Sequence, residues 1–168
     1  MNWPKQNNGE MNAFYGNPDA DGNGVPDRTW EDKNLMGIVP PYRMVLAWAP
    51  ETAVKTIRVN RACAESLQRV LAAIWAHYKT QEAIEAARMH LYGGANQFRT
   101  MRGANRLSVH SWGAAIDLDP VKNPLGRPWR DGAGMMPLPV IQAFQKEGWV
   151  WGGSWSRPDA QHFQAAKI

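Results

Sequence analysis

A chain of 168 residues with 44% hydrophobic and 20% charged residues is long enough for one domain with a core of its own, which argues against disorder and against a structural metal being needed to fold it. Nineteen Lys and Arg against fifteen Asp and Glu give a formal charge of +4 and a pI near 9.4, so anionic surroundings are favoured. The positive charges are scattered and no RNP, zinc-finger or basic-helix pattern occurs, so the expectation is no nucleic-acid partner. The single cysteine, Cys63, sits in an apolar helical pattern and reads as a small buried hydrophobe. There is no apolar run long enough to cross a bilayer and no apolar h-region at the N-terminus. The expectation is a chain made in the cytoplasm without a signal peptide, monomeric and not inserted in a membrane.

In chain order, residues 1–40 are rich in Asn, Gly, Pro and Asp and read as an irregular arm packed on a domain spanning 41–168. Within the arm, Asp19, Asp21 and Asn23 alternate with small residues as in a calcium loop, but the twelfth position counted from Asp19 is Trp30 rather than a bidentate acid. A Ca2+ site and a plain Asx-rich turn both remain open. Residues 42–48 and 54–59 read as two strands of a hairpin around Ala-Pro-Glu-Thr. Leu67, Val70, Leu71, Ile74, Trp75 and Tyr78 recur at helical spacing and predict a helix over 61–78 with Asn60 as its N-cap. A shorter helix follows over 81–89, ended by Tyr92-Gly-Gly. His77 and His90 lie at or near helix ends with no partner at ligand spacing and read as surface or capping residues.

Residues 97–102 read as extended, 114–119 as a strand entered through Gly113, and 120–134 as a long surface loop suited to substrate contacts. Pro139 to Glu147 is a short amphipathic helix closed by Gly148, and Trp149 to Trp155 a strand and turn. Five of the nine tryptophans, at 112, 129, 149, 151 and 155, crowd this C-terminal third, either filling the core or lining a groove.

Three residues carry metal-ligand chemistry. His110 and Asp117 lie on one loop and strand, and His162 follows in Asp159-Ala-Gln-His162. Two imidazoles and one carboxylate are the count a catalytic zinc takes when its remaining position is kept open. The Lewis acidity of such an ion brings the pKa of water to about 7. A base is then needed to move the proton to the leaving amine, and Asp159, three residues before His162, is placed for that.

The pattern Ser108-x-His110-x-x-Gly113-x-Ala115-x-Asp117, followed by Trp-Gly-Gly-x-Trp and Asp159-x-x-His162-Phe, resembles the LAS-type zinc peptidases of bacterial cell walls. That family holds D-alanyl-D-alanine carboxypeptidases and the L-alanyl-D-glutamate endopeptidases of phage endolysins. The resemblance spans about residues 60–165. It implies a compact α+β fold with a small antiparallel sheet flanked by helices, of the hedgehog/D-Ala-D-Ala metallopeptidase type. It also implies one Zn2+ on His110, Asp117 and His162, with Asp159 as base. An arginine that holds the substrate is implied upstream; Arg99 is the favoured match and Arg102 the alternative. Ser108 and Trp151 are the implied supporting residues.

The implied function is hydrolysis of a peptidoglycan stem peptide at the cell wall, by a phage-encoded enzyme released through a holin on one route. Asp at the base position, with His-Ser-Trp-Gly, looks more like the endopeptidase branch. A carboxypeptidase and a zinc-retaining, non-catalytic wall-binding domain are the alternatives.

Overall fold

The structure, a computed structural model, describes residues 2–101, 103 and 106–168. Residues 2–40 are not irregular throughout, since they hold two helices and a strand. Asn7 accepts from the Glu10 amide and starts helix α1, Asn8–Tyr15; Asp27 accepts from the Thr29 and Trp30 amides and starts α2, Arg28–Asn34. Their short length and buried face of one or two residues left little apolar periodicity in the sequence: Met11 and Tyr15 in α1, Trp30 in α2. Strand β1, Leu35–Ile38, follows directly.

The hairpin is also redrawn. Strand β2, Val45–Leu46, pairs with β3, Ala49–Ala53, so the turn is tighter than the sequence suggested. Strand β4, Ile57–Asn60, leaves the hairpin and pairs antiparallel with β1 in a separate two-stranded sheet. The alternation at Ile57 and Val59 buries both against the core, a demand that β1 satisfies and the exposed edge strand β3 does not.

Helix α3, Arg61–Tyr78, has the predicted bounds, capped by Asn60 Oδ1 on the Ala62 amide. Its buried stripe of Cys63, Leu67, Val70, Leu71 and Ile74 forms the centre of the core. Burial pushes the Cys63 thiol up to about 12, in keeping with an inert hydrophobe. Helix α4, Gln81–Ala86, is shorter than predicted.

Tyr92-Gly-Gly does not only end a helix. It lies in strand β5, Leu91–Gly94, a central strand of a six-stranded mixed sheet in the order β3-β2-β5-β6-β8-β7 among the described residues. Here β6 is Ala115–Leu118, β7 Val150–Trp151 and β8 His162–Gln164. The pairings are antiparallel except β2 on β5. Helix α5, Leu138–Lys146, buries Val140, Ile141 and Phe144 and packs beside α3. The result is the expected α+β arrangement, a sheet with helices against it.

Candidate metal centre

The centre is assembled at the middle of the large sheet. In the β6–β8 pairing Asp117 lies directly opposite His162, so their side chains share one face. On the other side of β6, β5 comes so close that a Cβ on Gly93 would stand 2.9 Å from the Asp117 Cβ and 3.1 Å from its carbonyl oxygen. Only glycine fits there, a role hidden in the sequence behind its reading as a helix breaker. His110 arrives from a 3-10 turn, Val109–Trp112, closed by Gly113 in the left-handed region at φ 66°. Ser108 caps this turn, its hydroxyl accepting from the His110 amide at 3.4 Å. Beyond Asp117, β6 ends in an ion pair: Arg88 donates to both oxygens of the buried Asp119, at 2.9 and 2.7 Å.

The three candidate ligand groups converge, each offering one atom with all of these within 4.8 Å of one another. His162 Nδ1 lies 2.9 Å and His110 Nε2 3.3 Å from Asp117 Oδ1, and the two ring nitrogens are 3.2 Å apart. The far nitrogens fix which way each ring presents its lone pair. His110 Nδ1 sits 2.8 Å from the Ala95 carbonyl, which can only accept, so Nδ1 carries the proton and Nε2 faces the centre bare. His162 Nε2 donates to Gln164 Oε1 at 3.0 Å, which leaves Nδ1 facing inward. Two nitrogen lone pairs at contact beside a carboxylate are mutually repulsive unless a cation or a proton lies among them. Two imidazole nitrogens and one carboxylate oxygen, each ring held by an outer partner, are the donors that zinc takes. The residues therefore fit the ion that the resemblance implies.

The electrostatics have the same cause. Burial works to raise the Asp117 pKa, but where protons take the place of an ion on the inner nitrogens, the charge and hydrogen bonds of His110 and His162 hold the carboxyl well below its usual range. Burial works against a charged His162, and Asp117 outweighs it, so the ring is raised. Asp159 is raised chiefly by its own burial, which makes it a better proton acceptor once ionised.

A cleft of about 520 Å³ opens over the centre. Its walls include Asp159, Arg99, Ser108, Trp155 and Arg157 together with the three candidate ligands. Asp159 is reached through a tight turn in which its amide donates to Gly152 O and its carbonyl accepts from the His162 amide. Gln161 Nε2 donates to its Oδ1 at 3.1 Å.

Arg99 is pinned by its backbone to Ser111, whose hydroxyl both accepts from its amide and donates to its carbonyl, while its Nε donates to Gln97 Oε1. Arg102 lies outside the described residues. Trp151 does not line the cleft: its Nε1 donates to Ala160 O at 2.9 Å and its ring meets Trp129 edge-on, so it braces the Asp159 turn from behind. Of the five clustered tryptophans it is Trp155 that faces the cleft, its ring 5.4 Å from that of His162. Trp112 and Trp149 are core residues.

In the Asp19 loop the side-chain oxygens accept from the loop's own amides. Asp19 accepts from the Gly24 amide, Asp21 from the amide and side chain of Asn23, and Asn23 from the Val25 amide. Trp30, at the twelfth position, is buried and donates to Tyr15 O. Nothing here supports Ca2+, and the Asx-turn reading is the one these bonds favour.

Residues 102–165 match the family model described as D-alanyl-D-alanine carboxypeptidase. The match takes in Ser108, His110, Asp117, Asp159 and His162, and it covers less than half of the chain. Comparison with curated proteins and with solved structures gave no match. The family match supports a peptidase of the broad zinc metallopeptidase kind, and the His-Asp-His group gives a place for the metal. Among the described residues, no helix is long and apolar enough to cross a membrane.

Proposed function

We propose that the chain is a zinc-dependent peptidase that hydrolyses a stem-peptide bond of peptidoglycan, with the L-alanyl-D-glutamate bond as its target. The observation that carries this reading is the convergence of two bare imidazole nitrogens and a carboxylate at the floor of a cleft whose wall holds a carboxyl of raised pKa. When bound by His110, Asp117 and His162, zinc supplies Lewis acidity, polarising a carbonyl and acidifying water. Asp159 takes the proton of the attacking water as its oxygen adds to the carbonyl carbon, and returns it to the amine as the C–N bond breaks. Arg99 offers a guanidinium fork to a substrate carboxylate.

That fork suits either of two substrates. In the stem peptide D-Glu is joined onward through its side chain, so its α-carboxylate stands beside the scissile amide, as the terminal carboxylate does in D-Ala-D-Ala. The family description favours the second reading, a D,D-carboxypeptidase. Asp159 at the base position and the sequence His110-Ser-Trp-Gly support the first. On this reading the enzyme acts at the cell wall, and release of a phage-encoded enzyme through a holin is the proposed route. Digestion of purified muropeptides followed by mass spectrometry tests it: a new amine at D-Glu is expected. Free D-alanine without that amine would overturn the endopeptidase assignment in favour of the carboxypeptidase, and no cleavage would leave a wall-binding domain.

A further inference from the structure

The N-terminal arm lies outside the matched segment, yet it reaches both the end of the His162 strand and the turn that carries His110. Tyr15 donates its hydroxyl proton to Ala165 O, just past β8, at 2.7 Å, and Asn12 accepts from Trp112 Nε1, at the end of the His110 turn, at 3.0 Å. The arm reaches the wall of the cleft through Gln6. Its backbone is fixed on both sides, the amide donating to Lys167 O and the carbonyl accepting from Arg106. Its side-chain Oε1 accepts from Gln164 Nε2 at 3.2 Å.

Gln164 is fully buried, and its orientation follows from one unambiguous neighbour. The Ala166 carbonyl, 3.1 Å from one end of the Gln164 amide, can only accept, so that end is the NH2 and the opposite end, toward His162, is the oxygen. An oxygen 3.0 Å from His162 Nε2 requires the proton on Nε2. The ring is thereby held in the tautomer whose Nδ1 lone pair points at Asp117 and His110. A lone imidazole in water divides itself between two tautomers, so a ligand not set in this way would present an N–H to the ion part of the time.

We propose that Gln164 and Gln6 form a positioning relay that presets His162 for zinc, making the N-terminal arm part of the metal centre. The proposal rests on the reading that His110, Asp117 and His162 hold the ion. Outer partners of this kind are worth about 10- to 100-fold in metal affinity.

The test is the zinc dissociation constant of the full chain, measured by competition with a chromophoric chelator, beside the melting temperature of each variant. Q164L removes the acceptor at nearly constant volume and is expected to weaken zinc by about 10- to 100-fold. Q164E keeps an oxygen toward His162 but sets a carboxylate against the Ala166 carbonyl. It is expected to lose melting temperature and to hold zinc within about threefold of the wild type, where a purely structural role would make affinity follow stability. Nitrogen-15 shifts of the His162 ring in the chelated protein, taken at a pH above the raised pKa where the ring is neutral, are expected to show the proton on Nε2 in the wild type and a mixture in Q164L. Should Q164L fail to fold, Q6L on the half-buried arm residue is expected to weaken zinc several-fold, and unchanged affinity there overturns the role of the arm. Zinc bound by Q164L within about twofold of the wild type overturns the relay and leaves the ligand assignment standing. A wild-type chain that binds no zinc overturns both.

Discussion

Two regions of this molecule collect the residue types that bind cations, and His110, Asp117 and His162 are the ones whose ligand atoms are seen to converge among the described residues. In the Asp19–Asp27 loop the side-chain oxygens are turned on the loop's own amides, where they form turns and cap α2. At His110, Asp117 and His162 the far side of each ring is engaged by an outside acceptor, Ala95 O or Gln164 Oε1, so that the near side is left with lone pairs facing lone pairs. Composition and spacing suggested both sites. What separates them is where each donor's lone pairs are already committed, and that depends on strands brought together from distant parts of the chain.

The contrast is broken most severely by removing a ligand. H162A is expected to abolish zinc binding, while D21A in the loop leaves it unchanged; equilibrium dialysis with metal analysis distinguishes them. Next in size is the support behind Asp117. R88M strands the buried Asp119 carboxylate, and because Arg88 is itself one-third exposed the expected loss is about 2 kcal/mol, read as a fall in melting temperature of several degrees. A loop variant acts only through capping: D27A is expected to destabilise by about 1 kcal/mol. Calcium is expected to leave the melting temperature of the wild type unchanged, and a calcium-dependent rise would reinstate the loop as a site.

A smaller effect sharpens the comparison through pH. In the chelated protein the lowered Asp117 pKa contributes stability that is present above its ordinary value of 3.8 and is lost as pH falls. The raised His162 pKa contributes stability that is present below its ordinary value of 6.5 and is lost as pH rises. The melting-temperature difference between the chelated wild type and H162A is therefore expected to be largest between those two values and to shrink on either side. A difference independent of pH would contradict the pairing.

How much of this was legible in the sequence follows from how local each signal is. Helix α3 could be bounded to the residue because its apolar stripe and its Asn60 cap lie within one stretch. The candidate ligands were legible because His110 and Asp117 are seven positions apart on a loop and strand, and His162 follows its own short motif. Strand β5 was not, since Gly93 reads as a breaker, and only its contact with Asp117, 24 positions on, explains the missing side chain. Nor were α1 and α2, too short to show a period, or the pairing of β4 with β1 rather than β3. The brace formed by Trp151, the cleft-facing Trp155 and the Gln6–Gln164 contact are products of tertiary packing and have no local signature.

The central claim is that metal and base are separate parts of one centre, with His110, Asp117 and His162 holding zinc and Asp159 moving the proton. The most direct measurement is made on D159A: zinc content by metal analysis, and hydrolysis of purified muropeptides by mass spectrometry, on the same preparation. One zinc per chain with hydrolysis reduced by about 100-fold or more is the result expected for loss of a general base. Hydrolysis near the wild-type rate, or a chain that no longer binds zinc, would contradict it.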